Sequence, residues 1–420
     1  MRSWVKRAAA RPIRAGIVRY ARAKPRPEDA SGVERRIFIL LSTAWGMGGT
    51  IRTTLNLAEY LAHRFDVEII SVGRWRDRPF FGDFPPGVRV VTLHDHRPPA
   101  QPRGPQPLRR LLRALPSVLM HSRDAGARGF SLWADLMLVR MLRGRSGVLI
   151  GTRPGFNLLI ADLALPGFVT IGQEHMHLHH HHASLQEAMP RLYPRLDAIT
   201  VLTKGDLEVY EEHLGRRVKF VHIPNTVRAL EGPNADPDAR TVLAVGRLTP
   251  QKGYDLLIPA FAHVVAKQPD WRLRICGAGP QRDELEAMIR DRGLGDVVQL
   301  RGPARDLGAE IARASLFVLS SRFEGLPLVL LEAMSKGMGI VSLDCPTGPA
   351  DVISDHRNGI LVPPGDVEAL AAGMLELIED ADLRRRCAAA AIETAQGYTP
   401  EAVGPRWEAL LQELHGGRAA

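Results

Sequence analysis

Residues 36–72 read RIFILLSTAWGMGGTIRTTLNLAEYLAHRFDVEIISV and contain one complete β-loop-α-β unit. Ile37–Leu41 is apolar throughout, as expected of a strand that is buried on both faces. After the glycine loop Gly46–Gly49, Ile51–His63 repeats apolar residues at helical spacing, and Val67–Val72 is the next predicted strand. Such a unit implies a parallel sheet with a right-handed crossover.

The same alternation of short apolar runs and helical patterns continues along the chain. In the first half, further strands are predicted at Val148–Ile150, Val169–Gly172, Ala198–Thr203 and Val218–Ile223. In the second half, strands are predicted at Thr241–Val245, Arg272–Cys276, Val297–Leu300, Leu316–Leu319, Ile340–Leu343 and Ile360–Val362. The polar segment Leu230–Arg240 separates the two series. We interpret the Pro- and Arg-rich Arg97–Gly129 as a mobile surface insertion with a short basic helix.

This organisation predicts the fold class. A chain of 420 residues has room for two domains. Two successive α/β series predict two doubly wound sheets that face each other. In open sheets of this kind, ligands bind beyond the carboxyl ends of the strands. We therefore expect the functional residues in the loops that follow strands.

The positive charge is concentrated at the N-terminus. The net charge is +9, from 55 basic and 46 acidic residues, and nine of the basic residues precede the first acid, Glu28. The rest of the chain is therefore neutral. A basic arm favours an anionic partner, either nucleic acid or a membrane surface, which its interspersed apolar residues suit. A solvated, disordered tail is the alternative, because Pro12 is expected to interrupt any continuous helix.

The sequence favours a cytoplasmic location. Arginines break every candidate signal-peptide core, and no run of about 18 apolar residues predicts a transmembrane helix. Cys276, Cys345 and Cys387 show neither metal-binding nor redox spacing, which fits a reducing compartment.

One loop of the second half carries two cations. Arg247 and Lys252 lie in GRLTPQKG, residues 246–253, between a predicted strand and a predicted helix. Two cations on one strand-end loop can neutralise an anion through charge-assisted hydrogen bonds. A loop with two ordinary surface cations is the alternative interpretation.

A second loop carries two acids. Glu324 and Glu332 are separated by seven residues and enclose Gly325-Leu326-Pro327. Gly325 permits close approach of the backbone, and Pro327 suits the first turn of a helix whose free N–H groups can bind phosphate. Glu324 would lie at the mouth of the site and Glu332 one to two turns into the helix, where both suit sugar hydroxyls. The alternative is an amphipathic helix with two exposed acids.

Taken in order, these elements resemble the retaining glycosyltransferases of family 4, which have the GT-B fold of two facing Rossmann-like domains with a cleft between them. The paired acids after an Arg-Lys loop resemble the donor signature of that family. Further matching elements are Gly46–Gly49, Pro224-Asn225-Thr226-Val227, Gly277-Ala278-Gly279-Pro280, Cys345–Pro349 and Asn358–Val362. Cys345–Pro349 is similar to the corresponding element in the subset of this family that builds polysaccharides and lipid-linked glycans.

The resemblance implies a role for each matching residue. Arg247 and Lys252 would neutralise the donor diphosphate, Glu324 would contact the transferred sugar and Glu332 would hold the ribose. His175, in QEHMH at 173–177, would contact the reacting sugar, with His177 as second choice. The donor-binding residues implied are Gly48, Gly49, Asn225, Gly246, Gly277, Gly279, Gly325, Leu326, Pro327 and Glu332. For the histidines at 179–182, a solvated loop is preferred over a metal site.

The resemblance also implies the overall activity. We expect transfer of a hexosyl or N-acetylhexosaminyl group, with retention, from a nucleoside diphosphate sugar (UDP favoured, GDP open) to a glycan, lipid-linked or envelope-polymer acceptor. Neither a cofactor nor an essential metal is expected, and nucleic acid is not an expected partner. A UDP-sugar epimerase and a non-catalytic glycan- or membrane-binding module remain as alternatives.

The charge distribution, the polar segment between the two series and this resemblance together predict the domains. Residues 1–35 would be a basic arm that associates with the inner face of the membrane. Residues 36–228 would be the acceptor domain and residues 229–400 the donor domain. Residues 401–420 would form a helix that packs back on the N-terminal domain.

Overall fold

The structure, a computed structural model, describes residues 2–23, 35–98 and 106–419. The chain divides into two compact units. The first comprises Met1–Leu202, Asp206–Ile223 and Gly404–Ala420, and the second comprises Thr203–Gly205 and Pro224–Val403. The observed division after Ile223 lies close to the one expected after residue 228.

The first unit contains one parallel sheet of seven strands. They are β1 (Arg36–Leu41), β2 (Asp66–Arg74), β3 (Val88–Asp95), β4 (Gly147–Gly151), β5 (Phe168–Gln173), β6 (Ala198–Val201) and β7 (Phe220–His222). Their order is β3-β2-β1-β4-β5-β6-β7, and every pairing is parallel. This is a doubly wound order, and the parallel sheet that the first β-loop-α-β unit predicted is confirmed.

Strand β3 was not predicted from the sequence. It is an edge strand in which most residues of Val88–Asp95 are only half-buried, so it lacks the continuous apolar run of its neighbours. An edge strand needs less apolar sequence than a central one, because one of its sides has no neighbouring strand to bury it.

Helices surround this sheet. They are α1 (Arg2–Arg22), α2 (Gly49–Ala62), α3 (Pro107–Ala114), α4 (Leu132–Leu142), α5 (Pro154–Leu163), α6 (Ala183–Leu192) and α7 (Lys204–Leu214). The short basic helix expected within 97–129 is confirmed as α3, although residues 99–105 lie outside the described part. No helix in the described part is long and apolar enough to cross a membrane.

The expectation that Pro12 interrupts the arm was wrong, because α1 runs continuously through it. Pro12 has no backbone N–H to donate within the helix. Packing of α1 offsets this loss, because Ile17 and Ala21 are buried in the core of the first unit. The Arg14 guanidinium donates to Asp162 at 2.8 Å and anchors the same helix on α5. Residues 11–22 are therefore a docked helix rather than a solvated tail, and residues 24–34 lie outside the described part.

The second unit contains a parallel sheet of six strands. They are β8 (Thr241–Val245), β9 (Arg272–Cys276), β10 (Val298–Gly302), β11 (Leu316–Leu319), β12 (Gly339–Leu343) and β13 (Ile360–Val362), in the order β10-β9-β8-β11-β12-β13. The helices are α8 (Tyr254–Lys267), α9 (Arg282–Asp291), α10 (Leu307–Ile311), α11 (Leu328–Ser335), α12 (Pro349–Val352), α13 (Val367–Glu379), α14 (Ala381–Gln396) and α15 (Pro400–Ala419). From Gly404 onward, α15 belongs to the first unit.

The strand order fixes where a ligand can bind. In each sheet the order reverses beside the first strand, between β1 and β4 in one unit and between β8 and β11 in the other. Chain crossovers leave the sheet in opposite directions at such a point, so the loops beyond the strand ends separate and form a crevice. The Arg-Lys loop follows β8 and the first acid follows β11, so both lie at this point of the second sheet.

Candidate active site

The Arg-Lys loop is held in place by the loop beside it. The Gly246 N–H donates to the Cys276 carbonyl at 3.0 Å, and the Leu248 N–H donates to the Ala278 carbonyl at 3.0 Å. These bonds continue the β8–β9 pairing beyond the ends of the strands. The backbone of the loop is therefore fixed before any ligand arrives.

Three glycines in this region are required by close backbone contact. A methyl group at Gly277 would overlap the carbonyl oxygen of Gly246, and one at Gly279 would overlap that of Leu248. At Gly253 a methyl group would overlap the Ser320 carbonyl, and its φ of 63° is in the left-handed region that favours glycine. Glycine here lets three strand-end loops touch each other.

Lys252 and Glu324 form the central ion pair of the site. The Lys252 ammonium donates to Glu324 Oε1 at 2.6 Å, and the Ser321 hydroxyl donates to the same oxygen at 2.5 Å. The side chains of Lys252 and Glu324 are only 14% and 9% exposed. Removing one partner of such a buried pair leaves the other charge uncompensated. The structure thus brings together two residues that lie 72 positions apart.

A third loop packs against Glu324. The Glu324 N–H donates to the Pro346 carbonyl at 3.0 Å, and the Thr347 N–H donates to the Glu324 carbonyl at 3.3 Å. Burial, followed by the negative charge of Glu324, raises the pKa of the Cys345 thiol to about 12. Cys345 therefore stays a neutral thiol beside the ion pair.

The second acid is also buried. Glu332 is the fifth residue of α11 and only 3% exposed, which agrees with its expected depth and excludes an exposed amphipathic helix. Pro327 is the residue that precedes the helix rather than a member of its first turn. Gly325 lies against Gly348, where a methyl group would overlap the Gly325 carbonyl. The backbone between the two acids is therefore tightly packed.

Arg247 differs from Lys252 in its surroundings. Its side chain is exposed and donates to Gln251 Oε1 at 3.1 Å. Gln251 in turn donates to the Phe323 carbonyl at 3.1 Å, which ties the loop to the residue before Glu324. The two predicted cations are thus on one loop, one inside the buried pair and one in solvent.

Asn225 is a predicted donor-binding residue from a different segment of the chain. It is half-buried and belongs to the second unit, just after the division at Ile223. No hydrogen bond described for this part of the chain joins it to Lys252 or Glu324.

The corresponding edge of the first sheet carries the other predicted residues. Gly48 and Gly49 begin α2, and a methyl group built on either one would meet no atom within 4 Å. Space is therefore open beside this loop. His175 follows β5, and its Nε2 is buried without a hydrogen-bond partner among the described residues. Burial lowers the pKa of His175 to about 4, so the ring is neutral at pH 7.

Glu174 is a residue of this edge whose importance sequence reasoning missed. It is 2% exposed and accepts a hydrogen bond from Asn157 at 2.8 Å, from Tyr210 at 3.2 Å and from the Tyr193 hydroxyl. His181 Nε2 lies 3.2 Å from its Oε2. This network fixes the backbone that carries His175. The only sequence signal is an acid directly after an apolar strand.

The histidine run serves local structure. His181 Nε2 lies 3.0 Å from the Tyr210 hydroxyl, and the His182 side chain accepts from the Ser184 N–H at the start of α6. His177 likewise accepts from the His179 N–H in a short 3-10 turn. Within the described ranges, no group of three or more His, Cys, Asp and Glu residues is arranged to hold a metal ion.

Ser321 is the second residue that the sequence did not single out. It lies in the loop after β11, is 1% exposed and donates to Glu324. The sequence feature that could have indicated Ser321 is the polar pair Ser320-Ser321 directly after an apolar strand. Ser320 has a different use, since its hydroxyl donates to the Lys252 carbonyl at 2.9 Å.

The second unit matches a known protein family. The model of that family, described as "Glycosyl transferases group 1", matches residues 229–394. The matched segment holds the two strand-end loops, the Lys252–Glu324 pair and Glu332.

Sequence relatives cover more of the chain. It is 36% identical over 386 residues to an exopolysaccharide phosphotransferase of Streptomyces coelicolor, which covers 90% of this chain and 41% of the relative. The chain thus spans less than half of that protein. It is 25% identical over 384 residues to an amylovoran biosynthesis glycosyltransferase of Erwinia amylovora, which covers 90% of this chain and 99% of the relative.

The fold is shared with solved structures. A TarM variant of S. aureus, in complex with fondaparinux, alpha-GlcNAc-glycerol and UDP, superimposes with a TM-score of 0.72 at 16% identity. The match covers 90% of this chain and 99% of TarM. Together with the two parallel sheets, this likeness confirms the α/β fold of GT-B type that was expected from the sequence.

Proposed function

We propose that this chain is a retaining glycosyltransferase. It has the GT-B fold, and its second unit matches the group 1 glycosyl transferases. It transfers a hexosyl or N-acetylhexosaminyl group from a nucleoside diphosphate sugar, with UDP as the favoured nucleotide. The acceptor is a glycan, a lipid-linked glycan or a cell-envelope polymer. The relatives support a transferase that acts in polysaccharide assembly.

The Lys252–Glu324 pair at the reversal point of the second sheet is the observation that carries this proposal. We propose that the donor diphosphate takes Lys252 as its counterion, which releases Glu324 to accept hydrogen bonds from the transferred sugar. As the glycosidic bond breaks, the diphosphate gains negative charge. A cation already in place stabilises that charge without reorganisation. Arg247 adds a second cation from the solvent side.

The remaining donor contacts follow from position. Glu332, inside α11, accepts hydrogen bonds from the ribose hydroxyls. The backbone of Gly325, Leu326 and Pro327, just before that helix, lies next to the phosphates. Gly246, Gly277 and Gly279 belong to the two packed strand-end loops whose backbone lies beside the nucleotide. Gly48, Gly49 and His175 act from the first unit, and the neutral ring of His175 contacts the reacting sugar.

Substitution of Lys252 tests the assignment. Lys252→Ala should lower kcat by about a hundredfold or more, since the loss of one preorganised electrostatic partner has this effect. Lys267→Ala, which removes an exposed lysine at the end of α8, is the matched control and should keep full activity. Full activity in Lys252→Ala would refute the diphosphate role.

The same assay separates the alternative functions. Conversion of the donor sugar without any acceptor would identify an epimerase. Tight nucleotide-sugar binding without turnover across an acceptor panel would identify a binding module.

A thermal-shift comparison of UDP-, GDP- and ADP-sugars ranks the donors, because a ligand at a hundred times its Kd stabilises by about 2.7 kcal/mol.

We further propose that transfer needs no divalent metal, because Lys252 and Arg247 supply positive charge to the diphosphate. Activity should be unchanged after incubation with EDTA and after addition of Mg²⁺ or Mn²⁺. Loss of activity with EDTA and its recovery with one of these ions would contradict the proposal.

An arginine-lined groove supports attachment to the inner face of the membrane. The groove lies between α1 and α6 and has a volume of about 880 Å³. Its charged lining consists of Arg11, Arg14, Arg19, Arg22, Arg191, Arg195 and Asp162. Six cations face a single acid, which favours multiply charged phosphate groups such as those of anionic lipids. Nucleic acid is not proposed as a partner.

Vesicle binding tests the membrane proposal. The triple variant Arg11→Ala/Arg19→Ala/Arg191→Ala should bind phosphatidylglycerol vesicles about a hundredfold more weakly, at about 1 kcal/mol per cation. The control triple Arg290→Ala/Arg292→Ala/Arg406→Ala removes three exposed arginines elsewhere and should bind like the wild type. Equal binding to phosphatidylcholine vesicles would contradict the proposal.

A further inference from the structure

The carboxyl edge of the first sheet extends beyond His175. In the sheet order, β5 is followed by β4, β1 and β2, and the residue directly after β2 is Trp75. Three strand spacings separate β5 from β2, which is about 14 Å at the usual spacing of paired strands. Trp75 therefore lies on the same edge as His175 but farther away than a single sugar ring reaches.

Trp75 is a partly exposed member of an aromatic stack. It is 49% exposed, although it is one of the largest apolar side chains. Its ring stacks on that of His96, with centroids 4.4 Å apart and an interplanar angle of 8°. His96 in turn stacks on His94 at 3.7 Å. Because burial lowers the pKa values of both histidines, the stack is neutral at pH 7.

Glycines hold the indole in this place. A methyl group at Gly73 would overlap the Trp75 ring, and one at Gly129 would lie 2.8 Å from its Cη2. Two backbone segments thus approach the ring as closely as glycine permits. An exposed indole that is fixed by its neighbours loses little conformational freedom on binding a ligand.

The end of the Pro- and Arg-rich segment connects this ring to the centre of the edge. Asp124 pairs with Arg153, the residue before α5, at 2.6 Å. The following 3-10 turn, Ala125–Gly129, begins beside Arg153 and ends at the Trp75 ring. Arg153 also donates to Ser42 after β1 at 3.0 Å. One continuous turn therefore runs along the edge from Arg153 to Trp75.

We propose that Trp75, backed by His96 and the turn Ala125–Gly129, is a distal subsite for a sugar ring of the acceptor glycan. The apolar C–H face of a pyranose packs on an indole face, and the position of Trp75 selects acceptors longer than a single sugar. The inference rests on the proposed function, and it assigns the acceptor class as an oligomeric or polymeric glycan rather than a monosaccharide.

A chain-length series tests the subsite without any donor present. The probes are size-fractionated oligosaccharides of one to six residues, prepared by partial acid hydrolysis of the cell-envelope polysaccharide of the producing organism. The Kd of the wild type, measured by calorimetry, should fall by about tenfold once the oligosaccharide is long enough to reach Trp75. In Trp75→Ala this increase of affinity with length should be absent, while the shortest probes should bind as they do to the wild type. Trp75→Phe should retain most of the increase.

Two glycine variants provide matched controls for the geometry. Gly129→Ala should displace the indole and reproduce the Trp75→Ala result. Gly16→Ala adds a methyl group in open space on α1 and should leave the series unchanged. The UDP-induced thermal shift reports whether each variant is folded, and it should be equal in all of them.

The outcomes separate the subsite from the proposed transferase activity. An affinity that does not depend on length in the wild type, or a length gain that survives in Trp75→Ala, overturns the subsite. Failure of sugar transfer with an intact length series would overturn the transferase proposal alone.

Discussion

At the residue scale, the site depends on how Glu324 is held. Lys252 and Ser321 both donate to its Oε1, and the backbone of residues 346–347 fixes its main chain. Three separate loops therefore determine where one carboxylate points. The sequence predicted Lys252 and Glu324 as site residues, but not that they would be partners of each other.

Ser321 provides a prediction at this scale. Ser321→Ala removes a hydrogen bond to a charged group, which is typically worth 1.5–3 kcal/mol, so kcat/KM should fall by about tenfold or more. Ser315→Ala is the matched control, because it removes one buried serine hydrogen bond at the opposite end of the same strand, β11. If both variants keep wild-type kinetics, the hydroxyl does not position Glu324.

His94 provides a second residue-scale prediction, on stability against pH. Burial, with Coulombic contributions from His96, Arg113 and Arg109, lowers its pKa to about 4, while Asp95 opposes the shift. Between pH 6.5 and pH 4, His94 binds a proton in the unfolded chain but not in the folded chain. The free energy of unfolding therefore falls as the pH drops through this range.

His94→Gln should therefore show a smaller loss of stability between pH 7 and pH 5 than the wild type, measured by urea unfolding at both values. His63→Gln, at an exposed position, is the control and should keep the wild-type difference. An unchanged pH dependence in His94→Gln would show that His94 is not protonated on unfolding in this range.

At the element scale, the donor loops depend on backbone contact between neighbouring strand ends. Gly279→Ala places a methyl group against the Leu248 carbonyl and should push the loops after β8 and β9 apart. We expect a loss of UDP-sugar affinity of about tenfold and a destabilisation of 1–3 kcal/mol, as for other overpacked sites. Gly295→Ala, where a methyl group meets nothing within 4 Å, should change neither quantity. Thermal shifts with and without the donor measure both.

The elements also show which signals sequence alone carries. Central strands such as β1 and β8 were predicted within a residue of their bounds, because burial on both faces requires a continuous apolar run. β3 was missed because an edge strand lacks that run. α1 was mispredicted because packing of Ile17 and Ala21 outweighs the cost of Pro12, and such packing is a tertiary property.

At the scale of the whole molecule, the last helix completes the first unit. Trp407, Leu410 and Leu411 of α15 are buried, and the Tyr60 hydroxyl donates to Glu408 at 2.8 Å. A methyl group at Gly404 would overlap the Tyr60 ring, so glycine is needed where α15 meets α2. The N-terminal domain therefore includes residues from the far end of the sequence.

Trp407→Ala should destabilise the first unit by about 3–5 kcal/mol, the usual cost of removing a buried aromatic side chain. Trp75→Ala, at a half-exposed tryptophan of the same unit, should cost less than about 1 kcal/mol. Thermal unfolding followed by hydrogen exchange of β1 and β2 compares the two variants. Equal stability would show that α15 is not needed for the fold of this unit.

The two α/β series, the position of the strand-end loops and the residue types of the site could all be predicted from the sequence. These features follow from local periodicity and from the conformational limits of glycine, which are readable along the chain. The folded structure was needed to show that Lys252 and Glu324 are paired, that Glu174 is buried among tyrosines, and that Trp75 and His96 share one edge. Such contacts join residues far apart in sequence, and their energies depend on burial and distance, which appear only when the sheets have assembled.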